Sequence, residues 1–234
     1  MAIFIEILRT KNSDKQYFET FLYEPFGDGD TIATALKKLN EREELKDVDG
    51  KAAEKIEWEC SCLQKKCGSC AMVINGRPRL ACDAKISEFK GKVRVEPLKK
   101  FPVVCDLTVD RSILFANLKE MKSWVPDEKE AIINGKEIQY EASRCLQCGC
   151  CLEICPNFYS GGKFFGMAAG ALTSRLISEL PKGERDEIAK AYRKHFYAGC
   201  GKSLACKDVC PAGIDTEKLL VNSNAVAIWK RKSK

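Results

Sequence analysis

The chain of 234 residues has a single histidine, His195, so it cannot supply the two imidazoles of a Rieske centre. It also lacks any run of about 18 or more apolar residues of the kind that spans a bilayer. The longest candidate, Phe164 to Leu172, is interrupted by glycine, and no transmembrane segment is expected. The N-terminus, Met1 to Leu8, has no basic stretch followed by a long apolar one and a small-residue cleavage site, so export by a signal peptide is not expected. Segregated charge is missing too. The formal charge is +6, yet basic and acidic residues are interspersed, which leaves no stripe for nucleic acid. The exception is the tail Lys230, Arg231, Lys232 and Lys234, read as solvated, with lipid or partner contact as the alternative.

What the sequence has in excess is cysteine, 14 residues. Such richness means disulfides, structural zinc or redox metal. Several of these cysteines lie only two residues apart, too close for a disulfide framework, and a reducing compartment would keep them available to metal.

Residues 1 to about 102 read as a β-rich unit. Ile3, Ile5 and Ile7 alternate, as do residues around Tyr17 to Tyr23, which predicts two antiparallel strands. Asp30 and Thr31 offer an N-cap to a stripe of Ile32, Ala35, Leu36 and Leu39, so a helix follows. Asn75-Gly76 between Ala71–Ile74 and Arg79–Ala81 is the strongest short hairpin signal, and Lys92 to Val95 closes the sheet. The prolines at 97 and 102 mark a connector, after which strand character is expected to end. From 103 to 234 apolar residues recur at helical spacing, as in Ile113, Leu114, Leu118 and Met121, or Leu172, Leu176 and Leu180. The expected fold class is therefore α+β, a sheet-based domain over 1–102 followed by a helical one over 103–234.

Cys62, Cys67 and Cys70 are spaced C-x4-C-x2-C, with Cys82 at the end of the hairpin. This is plant-type [2Fe–2S] spacing. Gly68 permits the sharp bend that turns backbone amides toward sulfur, and Ser69 can add a hydrogen bond. Zinc sites favour paired CxxC knuckles instead. Cys60 makes a C-x-C pair with Cys62 and is the rival ligand. The x4 gap favours Cys62, and Cys60 is read as a small buried residue at a strand end.

Cys145, Cys148, Cys151 and Cys155-Pro156 reproduce the bacterial ferredoxin run, whose fourth cysteine ligates the other cluster. Aligning the second Cys-Pro gives Cys200, Ser203, Cys206 and Cys210-Pro211. Crossing the fourth cysteines makes Cys145, Cys148, Cys151 and Cys210 a four-thiolate set for [4Fe–4S]. The other set is Cys155, Cys200 and Cys206, with Ser203 in the fourth place. A cube with one unligated corner loses that iron, so [3Fe–4S] is expected, the alternative being a serine oxygen that holds the corner of a [4Fe–4S] cluster. Cys105 and Cys150 are read as packing residues, and His195 as solvated or hydrogen-bonded.

The phrases Ser61-Cys62, Cys67-Gly-Ser-Cys70, Asn75-Gly-Arg-Pro-Arg-Leu-Ala-Cys82, Val95-Glu-Pro-Leu98, Asp106-Leu-Thr-Val-Asp110, Arg144-Cys145 and Ala205-Cys-Lys-Asp-Val-Cys-Pro211 closely resemble the iron–sulfur subunits of succinate dehydrogenases and fumarate reductases. The resemblance spans nearly the whole chain. It implies an N-terminal β-grasp plant-type ferredoxin domain and an all-helical bacterial-ferredoxin-like domain. It further implies a flavoprotein partner holding FAD and a membrane-anchor partner that binds quinone and can carry cytochrome b. The chain would then be a peripheral, non-catalytic electron-transfer subunit on the cytoplasmic face of the cell membrane, passing single electrons between quinone and FAD. The resemblance does not extend to Gly201 or to Phe158-Tyr159, where ubiquinone-reducing members often carry histidine and tryptophan, and Ser203 replaces a residue that is often aliphatic. The competing reading is a ferredoxin-like electron-transfer subunit of another flavoprotein reductase. A zinc-stabilised structural protein is a third.

Overall fold

The structure is a computed structural model in which residues 2–11, 15–124, 136–181 and 185–229 are described. The basic tail from Lys230 onward lies outside them. Two units divide the chain, Met1–Asp110 and Arg111–Lys234.

The first unit is built on a sheet whose strands are ordered β2-β1-β7-β5-β6. Strands β1 (Ile3–Lys11) and β2 (Lys15–Tyr23) are antiparallel, with Phe4 opposite Leu22 and Leu8 opposite Phe18. Alternation in β1 sends Ile3, Ile5 and Ile7 into the core, as a half-buried strand requires. Helix α1 (Ile32–Glu41) lays Ile32, Ala35, Leu36 and Leu39 on that core. Its cap is Thr31, whose hydroxyl accepts from Thr34 N at 3.2 Å. Asp30 instead accepts from the Tyr23 hydroxyl at 2.7 Å and from Phe26 N at 2.8 Å. A two-stranded pair, β3 (Leu45–Lys46) and β4 (Ala52–Ala53), leads into a long loop.

The hairpin of β5 (Ala71–Ile74) and β6 (Arg77–Leu80) turns at Asn75 and Gly76, with φ of 48° and 76°, the two positive values that a type I′ turn demands. Asn75 also joins the turn to β7 (Lys92–Glu96), its Oδ1 accepting from Arg94 N at 2.8 Å. Strand β7 runs parallel to β1 and antiparallel to β5.

Strand character does not end at the proline connector. Strands β8 (Val103–Cys105) and β9 (Thr108–Val109) pair beyond it. Asp106 between them explains why the first unit runs on to Asp110. Its buried carboxylate accepts from Thr10 N at 2.9 Å and Glu57 N at 3.1 Å. It also lies 3.0 Å from the fully buried guanidinium of Arg9, which reaches Glu19 at 2.7 Å as well. A charge pair so well surrounded by hydrogen bonds withstands its own desolvation.

The described elements of the second unit are helical: α2 (Ser112–Glu120), α3 (Lys136–Ser143), α4 (Cys150–Glu153), α5 (Gly166–Glu179), α6 (Arg185–Tyr192), a π-helical turn (Arg193–Tyr197), α7 (Ala205–Asp208) and α8 (Thr216–Ala227). The most enclosed is α5. Its small residues Ala168, Ala169, Gly170 and Ala171 are buried, and a Cβ at Gly170 would fall 2.5 Å from the Phe196 ring. The buried hydroxyl of Ser223 on α8 donates to Ser174 on α5 at 2.7 Å, and Tyr192 donates to Asn224 at 2.9 Å. Among the described residues, no helix is long and apolar enough to cross a membrane.

Candidate metal centres

None of the fourteen cysteines is joined in a disulfide. In the first unit, Cys62, Cys67 and Cys70 lie on the loop between β4 and β5, and Cys82 follows β6. The loop bends through positive φ at Leu63 (53°), Lys65 (58°) and Gly68 (80°). Such values are strained for leucine and lysine. The result is a backbone turned inside out toward sulfur: Gln64 N and Lys66 N donate to Cys62 Sγ at 3.3 and 3.4 Å, and Lys65 N to Cys82 Sγ at 3.3 Å. Ser69 Oγ lies 3.0 Å from Cys67 Sγ. Burial opposes ionisation of Cys67, but its hydrogen bonds to Ser69 and to the backbone at Cys62 and Ser69 outweigh it and hold the thiol at about 6. Cys70, buried at the start of the hairpin, is pushed up to about 12 by desolvation. Cys60 departs from expectation, since it stands exposed in the loop and not buried at a strand end.

In the second unit the two cysteine runs enclose two cavities. Cys145, Cys148, Cys151 and Cys210 rim one, closed by Gln147, Ala168 and Ile214. Cys155, Cys200 and Cys206 rim the other, with Ser203 beside them and Phe164, Met167, Phe196 and Leu220 as its apolar wall. The fourth cysteine of each run thus faces the cavity of the other run. Cys151 borders both cavities. No three His, Cys, Asp or Glu side chains among the described residues converge tightly enough to hold a bare metal ion. The sulfurs surround larger spaces instead.

Electrostatics fit a positively charged guest. Burial pushes Cys145 up to about 11 and Cys151 well above the usual thiol range, the neighbouring thiols adding to it. Cys200 and Cys206 are likewise raised by desolvation. Cys148 is the exception, brought to about 7 chiefly by a hydrogen bond with Cys150. Thiolates crowded in apolar surroundings repel one another, and a multiply charged metal centre is the compensation they lack.

Two of the cysteines read as packing residues stay out of the cavities. Cys150 is fully buried on α4, and Cys105 lies on β8 with its sulfur 3.5 Å from Thr10 O. His195 is buried in the π turn. Its Nδ1 lies 3.0 Å from Lys163 O, its Nε2 lies 2.9 Å from Glu120 Oε1, and its ring stacks on Phe165 at 4.2 Å. With both nitrogens occupied it is no metal ligand. Sequence reasoning passed over Gln147, whose amide donates to Cys145 Sγ at 3.1 Å and to Ala168 O at 2.9 Å, tethering the loop to α5. A polar residue between two ligands was its only signal.

Comparison with known proteins points the same way. Residues 4–116 match the family model of a 2Fe-2S iron-sulfur cluster binding domain, and residues 141–214 that of a 4Fe-4S dicluster domain. The chain is 34% identical over 219 residues to the succinate dehydrogenase iron-sulfur subunit of Bacillus subtilis, covering 89% of this chain and 85% of that one. It is 28% identical to the fumarate reductase iron-sulfur subunit of Haemophilus influenzae, covering 87% and 90%. A chain of the solved Mycobacterium smegmatis Sdh1 complex in the apo form matches with a TM-score of 0.74 at 22% identity, over 100% of this chain and 98% of that one, a likeness of fold.

Proposed function

Because this chain belongs to the iron–sulfur subunits of succinate dehydrogenases and fumarate reductases, we propose that eleven of its cysteines hold three clusters in the service of electron transfer. Cys62, Cys67, Cys70 and Cys82 hold [2Fe–2S]. Cys145, Cys148, Cys151 and Cys210 hold [4Fe–4S], and Cys155, Cys200 and Cys206 hold [3Fe–4S]. The observation that carries this reading is the sorting of the two cysteine runs into two cavities with their fourth members exchanged. When bound, such clusters supply one-electron redox chemistry to partners that exchange electrons in pairs.

The residues of the chain do the rest. Amides of Gln64, Lys65 and Lys66, and the side chain of Gln147, donate to sulfur, which favours the more negative, reduced state of whatever the sulfurs bind. Phe164, Met167, Phe196 and Leu220 give the third site an apolar wall on the side away from Ser203's exposed rim. Leu146, Ala168 and Ile214 form an apolar wall at the second.

The finer reading follows from these roles. The first unit is a β-grasp ferredoxin domain and the second an all-helical ferredoxin-like domain, with the boundary at Asp110 and not at Pro102. The partners are an FAD-containing flavoprotein and a quinone-binding membrane anchor, and the subunit lies peripherally at the cytoplasmic face of the membrane, without catalysis of its own. Anaerobic purification with mass spectrometry of bound proteins tests this. A flavoprotein and an anchor should copurify with a brown chain holding roughly nine irons. A colourless chain, or a flavoprotein of another substrate class, would sink it.

A further inference from the structure

The two cysteine loops of the second unit share a backbone pattern. Cys145, Gln147, Gly149 and Cys151 correspond to Cys200, Lys202, Leu204 and Cys206. Gln147 and Lys202 have φ of 51° and 57°, and Gly149 and Leu204 have 89° and 58°. Four-residue helices follow in both, α4 from Cys150 and α7 from Ala205. Leu152 N donates to Gly149 O at 2.9 Å, as Lys207 N does to Leu204 O at 2.8 Å. Cys155 N donates to Leu152 O at 3.2 Å, as Cys210 N does to Lys207 O at 3.4 Å. In this frame Ser203 occupies the place of Cys148, and it lines the third cavity as Cys148 lines the second.

Two differences matter. Leu204 keeps a left-handed conformation that costs a non-glycine residue about 1 to 2 kcal/mol, so the loop retains its ligand-presenting shape although the ligand is not a thiol. Strain of this kind persists where the surroundings impose it and gathers at functional sites. Cys148 is only 9% exposed, whereas Ser203 stands exposed at the rim of its cavity. The corner bearing the serine is the one that water and dissolved ions reach.

We propose that Ser203 is a weak fourth seat at the third site, at which a [3Fe–4S] cluster takes up and releases one divalent metal ion. The proposal rests on the three-thiolate reading of that site. In the step, a [3Fe–4S] core already reduced by one electron, of zero charge, binds Fe2+ to give a [4Fe–4S] core of charge 2+. The reducing electron comes from the chain's own electron transfer. No electron moves during metal uptake, an iron–oxygen bond forms, and the hydroxyl proton of Ser203 leaves to water. Serine oxygen is a poorer partner for iron in a sulfide environment than thiolate, so this corner exchanges where that of Cys148 does not. The third site would then report on available iron.

The test uses the anaerobically purified complex containing this chain. The oxidised three-iron signal is quantified by electron paramagnetic resonance before and after reduction, incubation with Fe2+, removal of free metal and reoxidation. In the unaltered complex most of the signal should disappear, with a gain of about one iron per chain. Ser203→Ala should keep the signal and gain no iron, and Ser203→Cys should lose it without the Fe2+ treatment. A signal that survives Fe2+ equally in the unaltered complex and in Ser203→Ala overturns the proposal. If the signal is absent at the start but present in Ser203→Ala, Ser203 holds the fourth metal firmly and the proposed exchange is overturned. If it is absent in both, the three-thiolate reading itself fails and the proposal with it.

Discussion

In the first unit Cys67 stands exposed on a loop whose backbone amides do the work of orienting sulfur. In the second unit, by contrast, Cys148 and Cys151 border enclosed cavities, and burial is the leading cause that raises Cys145, Cys151, Cys200 and Cys206. The first site therefore depends on the conformation of about ten residues. The other two depend on how helices close around them. The difference shows how one chain can set different environments for the same type of ligand, because exposure and donor number are two of the levers on a cluster's potential.

The largest effect is expected at Cys151, which borders both cavities of the second unit. Cys151→Ala should remove about four irons per chain or more while the visible circular dichroism of the [2Fe–2S] site stays intact. Loss of that dichroism as well would show that the two units do not load independently. Next comes Arg9, whose buried ion pairs with Glu19 and Asp106 are removed in Arg9→Met. Breaking a buried pair costs about 3 to 5 kcal/mol, so hydrogen exchange in the assembled complex should quicken across β1, β8 and β9. Protection in α5 and α8 should not change. If it does, the stabilities of the two units are coupled.

A smaller effect separates the two ways of holding sulfur. Gln147→Leu and Ser69→Ala each delete one side-chain hydrogen-bonding group near sulfur, to Cys145 in the buried cavity and to Cys67 on the exposed loop. Both should lower the potential of the local cluster in a redox titration followed by electron paramagnetic resonance. The shift should be larger for Gln147→Leu, because a hydrogen bond in low dielectric is electrostatically stronger. Equal shifts would mean that exposure counts for less than the number of donors.

Much of this was legible in the sequence because it rests on spacing. Asn75-Gly76 needs only local turn chemistry, and the Cys-Pro runs carry their crossing in the offset of one residue. The extension of the first unit past Pro102 was not, because it is due to Asp106 reaching Thr10 and Glu57, residues far off in the chain. Nor did residue type reveal the left-handed positions at Leu63, Lys65, Lys202 and Leu204. Those conformations are imposed by the ligand loops against local preference. The enclosure of α5 was hidden as well, since a helix buried on most faces by alanine and glycine has no strong amphipathic stripe to read.

The smallest effect is expected at Cys60. It shares a C-x-C pair with Cys62, and its exposure could be taken to make it the better ligand. The amides decide against this, since Gln64 N and Lys66 N both donate to Cys62 Sγ, and a sulfur that accepts two backbone hydrogen bonds is already oriented as a cluster ligand. Cys60→Ser should therefore leave the iron content and the [2Fe–2S] absorption unchanged, whereas Cys62→Ser should bleach or shift that absorption. The reverse pattern would move the ligand by two residues and with it the whole account of the loop, because the amides of Gln64 and Lys66 would then be turned toward a sulfur that binds nothing.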